Sequence, residues 1–262
     1  MSVLDTIAGY TRERIALQKQ CVSPAVIRAD AEAMAKECRG YSFYSALAAS
    51  GLSVIAELKA ASPSKGVIAP DFAERYLEQA KSYADGGAAA ISCLTEPKYF
   101  LGSNEYLRQV RKAVKIPLLR KDFVVDEYML YEAKTLGADA VLLICSLLSQ
   151  AQLEEYLELT GSLGMDALVE THNDGEIEGA LKAGAKIIGI NNRNLQDFSV
   201  DTGNCLRLRK LVPENIICVA ESGIKAPQDT RIFKDAGMDA VLVGEMLMRS
   251  KEPERLIEAM RG

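Results

Sequence analysis

Histidine is almost missing: the 262-residue chain holds one, His172. A single imidazole excludes a multi-histidine metal centre and argues against a zinc enzyme. Six cysteines, at 21, 38, 93, 145, 205 and 218, are scattered singly, with no CxxC pair. That spacing points away from a disulfide framework and toward free thiols in a reducing cytoplasm. Three of them fall in apolar or strand-like runs, where cysteine packs as a small hydrophobe. No run of 18 apolar residues occurs, so no membrane-spanning helix is expected. The opening MSVLDTIAGYTRER lacks the charged and apolar regions of a signal peptide. Basic charge is also short. A formal net charge of −5 argues against a nucleic-acid partner, although it leaves room for a local basic pocket that takes a small anion. Low-complexity stretches and linkers are lacking, so a single domain over 1–262 is expected.

What is present is a repeat. A glycine, one or two small or polar residues and then an apolar run recur as GGAAAIS at 86–92, GADAVLL at 137–143, GMDALVE at 164–170, GAKIIGI at 184–190 and GMDAVLV at 237–243. Each follows an amphipathic stretch such as YLEQAKSYAD. This reads as a helix ended by glycine, then a buried strand. The glycines at 87, 137, 164, 184 and 237 are 50, 27, 20 and 53 residues apart. The two long gaps each hold a Pro-led apolar run, IPLLRKD at 116–122 and VPENIICVA at 212–220. With SVIAELK at 53–59 the count reaches eight strands alternating with helices. Such alternation builds a parallel sheet covered on both faces. Eight units predict closure into an α/β fold, a (β/α)8 TIM barrel; an open doubly wound sheet is the alternative. The first 50 residues stand outside the repeat and read as a helical N-terminal extension packed on the barrel. Ser23 is its candidate N-cap, with Pro24 in the first turn.

A TIM barrel carries its active site at the C-terminal ends of the strands. Charges end these otherwise apolar runs: Glu57 and Lys59, Lys121 and Asp122, Glu170, Asn191 and Asn192, Glu221 and Ser222. Burying them is costly unless they are paired. Glu57 and Lys59, two apart, share a strand face. Together with Lys121 and Glu170 they form a histidine-free set suited to proton transfer. Asp122 reads as an acceptor for neighbouring amides, and His172 as a residue that orders a loop or faces solvent. Ser222-Gly223 and Gly244-Glu245 follow the seventh and eighth runs, where barrels often bind phosphate through backbone N–H groups.

These residues resemble the indole-3-glycerol phosphate synthase family over essentially the whole chain. The likeness rests on IAELKAASPSKGVI at 55–68, ISCLTEPKYFLGS at 91–103, LLRKDFVVDEY at 118–128, ALVETH at 167–172, IIGINNRNL at 187–195, VAESGI at 219–224 and LVGEMLMRS at 242–250. It implies a carboxy-lyase of tryptophan biosynthesis. That reaction closes the ring of 1-(2-carboxyphenylamino)-1-deoxyribulose 5-phosphate to indole-3-glycerol phosphate, carbon dioxide and water, without a cofactor or metal. The resemblance implies Lys121 as general acid, Glu170 as general base and Lys59 as partner of the anthranilate carboxylate. The division of acid work between Lys59 and Lys121 stays open. It implies that Glu57 and Asn191 position the two lysines and the reacting hydroxyls. Phe100, Phe123 and Leu142 would surround the aromatic ring, with Pro63, Arg193, Leu195 and Val243 completing the pocket. Ser222, Gly223, Gly244 and the amide of Glu245 would hold the phosphate. Ala60 departs from the family's basic residue and Met246 from its small one. The expected partner is one phosphorylated small molecule, neither nucleic acid nor membrane, bound by a monomer; weak association with other enzymes of the pathway stays open. A Schiff-base aldolase, or a non-catalytic phosphate-ligand binder on the same barrel, is the alternative.

Overall fold

The computed structural model describes residues 2–37, 41–194 and 198–261. Eight parallel strands close into a barrel: β1 (Ser53–Leu58), β2 (Ala90–Leu94), β3 (Leu118–Lys121), β4 (Ala140–Ile144), β5 (Asp166–Thr171), β6 (Ile187–Asn191), β7 (Ile217–Glu221) and β8 (Ala240–Val243). Each pairs with its neighbours in sequence, and β1 closes on β8. Every strand overlaps its expected run. The five glycines of the repeat all adopt positive φ, between 68° and 85°, the left-handed conformation that ends a helix cheaply only in glycine. One element was not anticipated: a short antiparallel hairpin, Ala61–Ser62 with Gly66–Val67, in the loop after β1.

Strand alternation sorts the side chains. Ile55, Leu119, Leu168, Ile187, Val219 and Leu242 belong to a cluster distinct from the larger one between barrel and helices. They face the axis. Two residues further along the same faces lie Glu57, Lys121, Glu170, Gly189, Glu221 and Gly244. The polar mouth is therefore the next layer above an apolar plug. Arg120, one residue out of phase, points outward instead. It is 1% exposed, and it bonds Thr95, Asn104, Glu132 and the Met129 carbonyl.

The extension touches three parts of the barrel. Helix α1 (Val3–Cys21) starts from a capping box of Ser2 and Asp5 and sends Val3, Leu4 and Ile7 to the mouth. Helix α2 (Pro24–Glu37) packs along α6 (Tyr128–Thr135); the Ser23 hydroxyl accepts the Val26 N–H at 3.4 Å. Helix α3 (Phe43–Leu47) buries Phe43 and Leu47 in the axial cluster. The backbone at and just before its first turn is tied to the strand starts, Tyr41 N–H to Asp139 and Tyr44 N–H to Asp166. It thus plugs the end of the barrel opposite the charged mouth. No described helix is long and apolar enough to cross a membrane.

Arg14 fastens α1 to the mouth. One guanidinium nitrogen lies 2.9 Å from both oxygens of Asp122, which also accepts from the Thr95 hydroxyl and the Phe123 amide. Asp122 thus receives a cation and a hydroxyl besides the expected amide. Arg14→Ala leaves a buried carboxylate short of a cation, and Arg120 at 3.7 Å offsets only part of that. We expect a loss of about 2 kcal/mol, read as a lower urea midpoint at unchanged slope. An unmoved midpoint would show that this pair does not hold α1.

Candidate active site

The mouth encloses a cavity of about 500 Å³. The lysines and glutamates gather there. Lys59 Nζ bonds Glu57 Oε2 at 2.5 Å, as expected for residues two apart on one face. Lys121 bonds Glu221 and lies 3.7 Å from Glu170. Register explains the convergence: Lys121 is level with Leu94, Glu170 with Ile144 and Gly189, and Asn191 with Glu221.

Asn191, expected to position the lysines and the reacting hydroxyls, bonds neither lysine directly. Its amide donates to Glu170 at 3.1 Å and its oxygen accepts the Arg193 N–H at 3.0 Å. It serves the glutamate rather than a lysine. Glu221, read from sequence as a charge that ends the seventh run but given no role in catalysis, is the direct partner of Lys121. The signal that finds it is parity, since Glu221 ends the inward row of Ile217 and Val219 just as Lys121 ends that of Leu119.

Electrostatics set the protonation states. Burial opposes the charge on Lys121, but Glu221, Glu170 and Glu57 outweigh it and raise its pKa above the ordinary lysine value. Burial also opposes charge on Glu170; His172, Lys121 and Asn191 prevail and hold its carboxyl at about 2. Burial pushes Glu221 up to about 7, with Lys121 opposing and Glu170 and Glu57 adding. Glu170 therefore stays ionised and Lys121 stays charged, while Glu221 is poised near neutrality.

The apolar side holds Phe100, Phe123, Leu142, Pro63 and Val243, and Arg193 lies near them. The two phenyl rings lie 5.8 Å apart, tilted at 41°. Buried Glu96 fixes the loop that carries Phe100 by accepting the N–H groups of Lys98, Tyr99 and Phe100. Leu195 lies outside the described residues. The wall from α1, and Lys65 and Lys225 at the rim, were not anticipated, because helix docking and loop reach are tertiary outcomes. Ala60 is buried, 6% exposed, and packs in the core, while Met246 packs partly buried against it.

Opposite the aromatic side, Ser222 and Gly223 take φ of 68° and 97° in succession. The Asn192 amide donates to the Ser222 carbonyl at 3.1 Å and holds that turn. Gly244 precedes the short helix α11 (Glu245–Arg249), and a Cβ on it would sit 2.4 Å from Glu57 Oε2 and 3.0 Å from Lys59 Nζ. Arg249 engages the Glu245 side chain at 3.2 Å, and Glu245 lines the cavity at the start of that helix. Among the described residues no group of three His, Cys, Asp or Glu side chains is arranged to hold a metal.

A closed parallel barrel with lysines and glutamates crowded over one mouth defines a TIM-barrel protein whose mouth is suited to proton transfer. Solved structures share that fold: 3-hexulose-6-phosphate synthase from Salmonella typhimurium (TM-score 0.64, 13% identity, 80% of this chain and 97% of that one) and thiamine phosphate pyrophosphorylase from Pyrococcus furiosus (TM-score 0.60, 18% identity, 80% and 94%). The family model for indole-3-glycerol phosphate synthase matches residues 4–260. The enzymes of that name from Endomicrobium trichonymphae and Lacticaseibacillus paracasei are 50% and 48% identical, and each alignment covers at least 98% of both chains. The chain belongs to the indole-3-glycerol phosphate synthase family, carboxy-lyases of tryptophan biosynthesis.

Proposed function

We propose that Lys121 is the general acid and Glu170 the general base of ring closure on 1-(2-carboxyphenylamino)-1-deoxyribulose 5-phosphate. The observation that carries this reading is the charged Lys121 ammonium between Glu221 and Glu170, above an apolar floor. The ring carbon that bears the carboxylate attacks the ketone carbon, and the ketone oxygen takes a proton from Lys121. A fixed cation there stabilises the developing oxyanion far better than water would. Carbon dioxide then leaves and restores the aromatic ring. Finally the new hydroxyl departs as water while ionised Glu170 removes a proton from the adjacent carbon, which completes the indole. Lys59, held by Glu57, pairs with the anthranilate carboxylate before its loss; the departing hydroxyl takes its proton from Lys59, or from Lys121 once water has returned the proton spent on ring closure.

Phe100, Phe123 and Leu142 clasp the aromatic ring, with Pro63, Arg193 and Val243 around it. The consecutive left-handed residues Ser222 and Gly223, with Gly244 and the Glu245 amide, receive the phosphate, since such turns aim N–H groups at an anion. α1 of the same chain supplies a wall of the cavity, which supports a one-domain monomer. Five described cysteines are unpaired, which supports a cytoplasmic setting.

A Schiff-base aldolase needs a neutral amine, and three carboxylates hold Lys121 charged. Incubation with the anilino-deoxyribulose phosphate is expected to release fluorescent indole product, and borohydride is expected to trap no adduct. Thermal stabilisation by inorganic phosphate without turnover would instead mark a binder, and a trapped adduct an aldolase.

A further inference from the structure

The mechanism above gives His172 no task, yet its ring lies between two carboxylates. Nε2 lies 3.3 Å from Glu170 Oε1 and Nδ1 lies 3.1 Å from Glu176 Oε2. Glu176 sits in helix α8 (Asp174–Lys182) and is itself fixed. Its Oε2 accepts the His172 N–H at 2.8 Å and its Oε1 accepts the Asn173 amide at 2.7 Å. The Asn204 amide adds a bond to the His172 carbonyl at 3.3 Å. Glu170 Oε1 is thus approached by the His172 ring and by the Asn191 amide. The ring borders a second, polar cavity beside the first, lined also by Asn173 and Glu176.

A neutral imidazole has one N–H and one lone pair. With a carboxylate at each nitrogen, one of them would face that lone pair. Protonation of both nitrogens gives Glu176 its hydrogen bond at Nδ1 and sets a positive charge 3.3 Å from Glu170 at Nε2, an ion contact rather than an aligned hydrogen bond. We propose that His172 is a positioning residue for Glu170: a cation, clamped from α8 by Glu176, that keeps the carboxylate ionised and steadied beside Asn191 at the substrate cavity. The inference rests on the reading of Glu170 as the base. Burial disfavours charge on the ring, but the two glutamates outweigh it and push His172 up to about 10. The remaining groups that face this pair are few. Lys121 from β3 and Glu221 from β7 act on Glu170. The Cys145 thiol after β4 does so as well, pushed up to about 12 by burial and hence neutral. Asp5, Arg193 and Asp201 are the other charged residues of the second cavity.

Removing a cation beside a carboxylate raises the carboxyl pKa. The base then sheds its proton only at higher pH. In His172→Asn the limb of the kcat/KM profile set by Glu170, the lower of the two carboxyl limbs because Glu221 lies near 7, is expected to move up by about one pH unit. The plateau above that limb is kept within a few-fold, because a carboxylate freed of its cation is the stronger base. Glu176→Gln, which leaves the ring in place, is expected to move the limb the same way by less. Glu170→Gln is measured alongside and is expected to lose turnover at every pH. If Glu170→Gln is inactive while the His172→Asn limb stays put, or only the plateau falls, His172 is structural and the proposal is overturned. If Glu170→Gln keeps full activity, the base itself is wrong and the proposal falls with it. Should His172→Asn not fold, an unmoved limb in Glu176→Gln overturns the proposal.

Discussion

Lys121→Ala is expected to lower kcat/KM by about a thousandfold or more, the scale of a lost acid that is also an electrostatic anchor, while the barrel persists by circular dichroism. Near-normal turnover would refute the assignment. The fold survives because Lys121 sits above the apolar layer of Leu119 rather than within it. The electrostatics do change. Glu221 and Glu170 lose their shared cation, and Glu221, already pushed up to about 7 by burial, rises further. A carboxyl whose folded pKa exceeds its unfolded value binds a proton more tightly in the native state. Its stabilisation is present at low pH and fades as pH rises through the folded value. The variant is therefore expected to melt at a higher temperature at pH 6 than at pH 8, by a larger margin than the parent. Equal margins would mean that Glu221 does not depend on Lys121 for its charge.

The architecture was legible because the barrel is built by local rules repeated eight times. Gly87, Gly137, Gly164, Gly184 and Gly237 mark where helices must stop, and their positive φ values show that the chain uses each as a stop. Apolar runs after them could only be strands covered on both faces. Much of the mouth was legible for a related reason: Lys121, Glu170 and Glu57 are charges ending inward rows, and alternation carries them onto one rim. What stayed hidden depends on packing between distant segments. Arg14 of α1 meets Asp122, 108 residues away, and nothing local forecasts that meeting. His172 lies four residues before Glu176, a helical spacing visible in the sequence. Its ring lodges between two carboxylates only because α8 follows β5 after a short turn that brings Glu176 back over it. The amide of Asn191 reaches Glu170 because Gly189, two residues before it on the same face of β6, lies level with Glu170 on β5.

The same parity argument makes Gly189 a more sensitive position than its lack of side chain suggests. It follows Ile187 on the inward face of β6 and lies level with Val219, one pleat below the level of Glu221. Its φ is not positive, so alanine carries no backbone strain there. The obstacle is space: a Cβ would lie 2.3 Å from Glu221 Oε1 and 3.2 Å from Leu168 Cδ1. Leu168 is fully buried in the plug and has little room to yield. Glu221 must shift, and with it the Lys121 ammonium that it orients. Displacement of a catalytic group by about 1 Å costs on the order of a hundredfold, and we expect Gly189→Ala to lose about that much kcat/KM. Overpacking adds about 1–3 kcal/mol of destabilisation. Gly161, inside helix α7 (Gln150–Ser162) with nothing within 4 Å of its added Cβ, is the matched control. Gly161→Ala is expected to keep full activity and to gain up to about 1 kcal/mol from helix propensity. If Gly189→Ala turned over like Gly161→Ala, the Glu221–Lys121 contact would be dispensable, and Lys121 would hold its place by the remaining carboxylates alone.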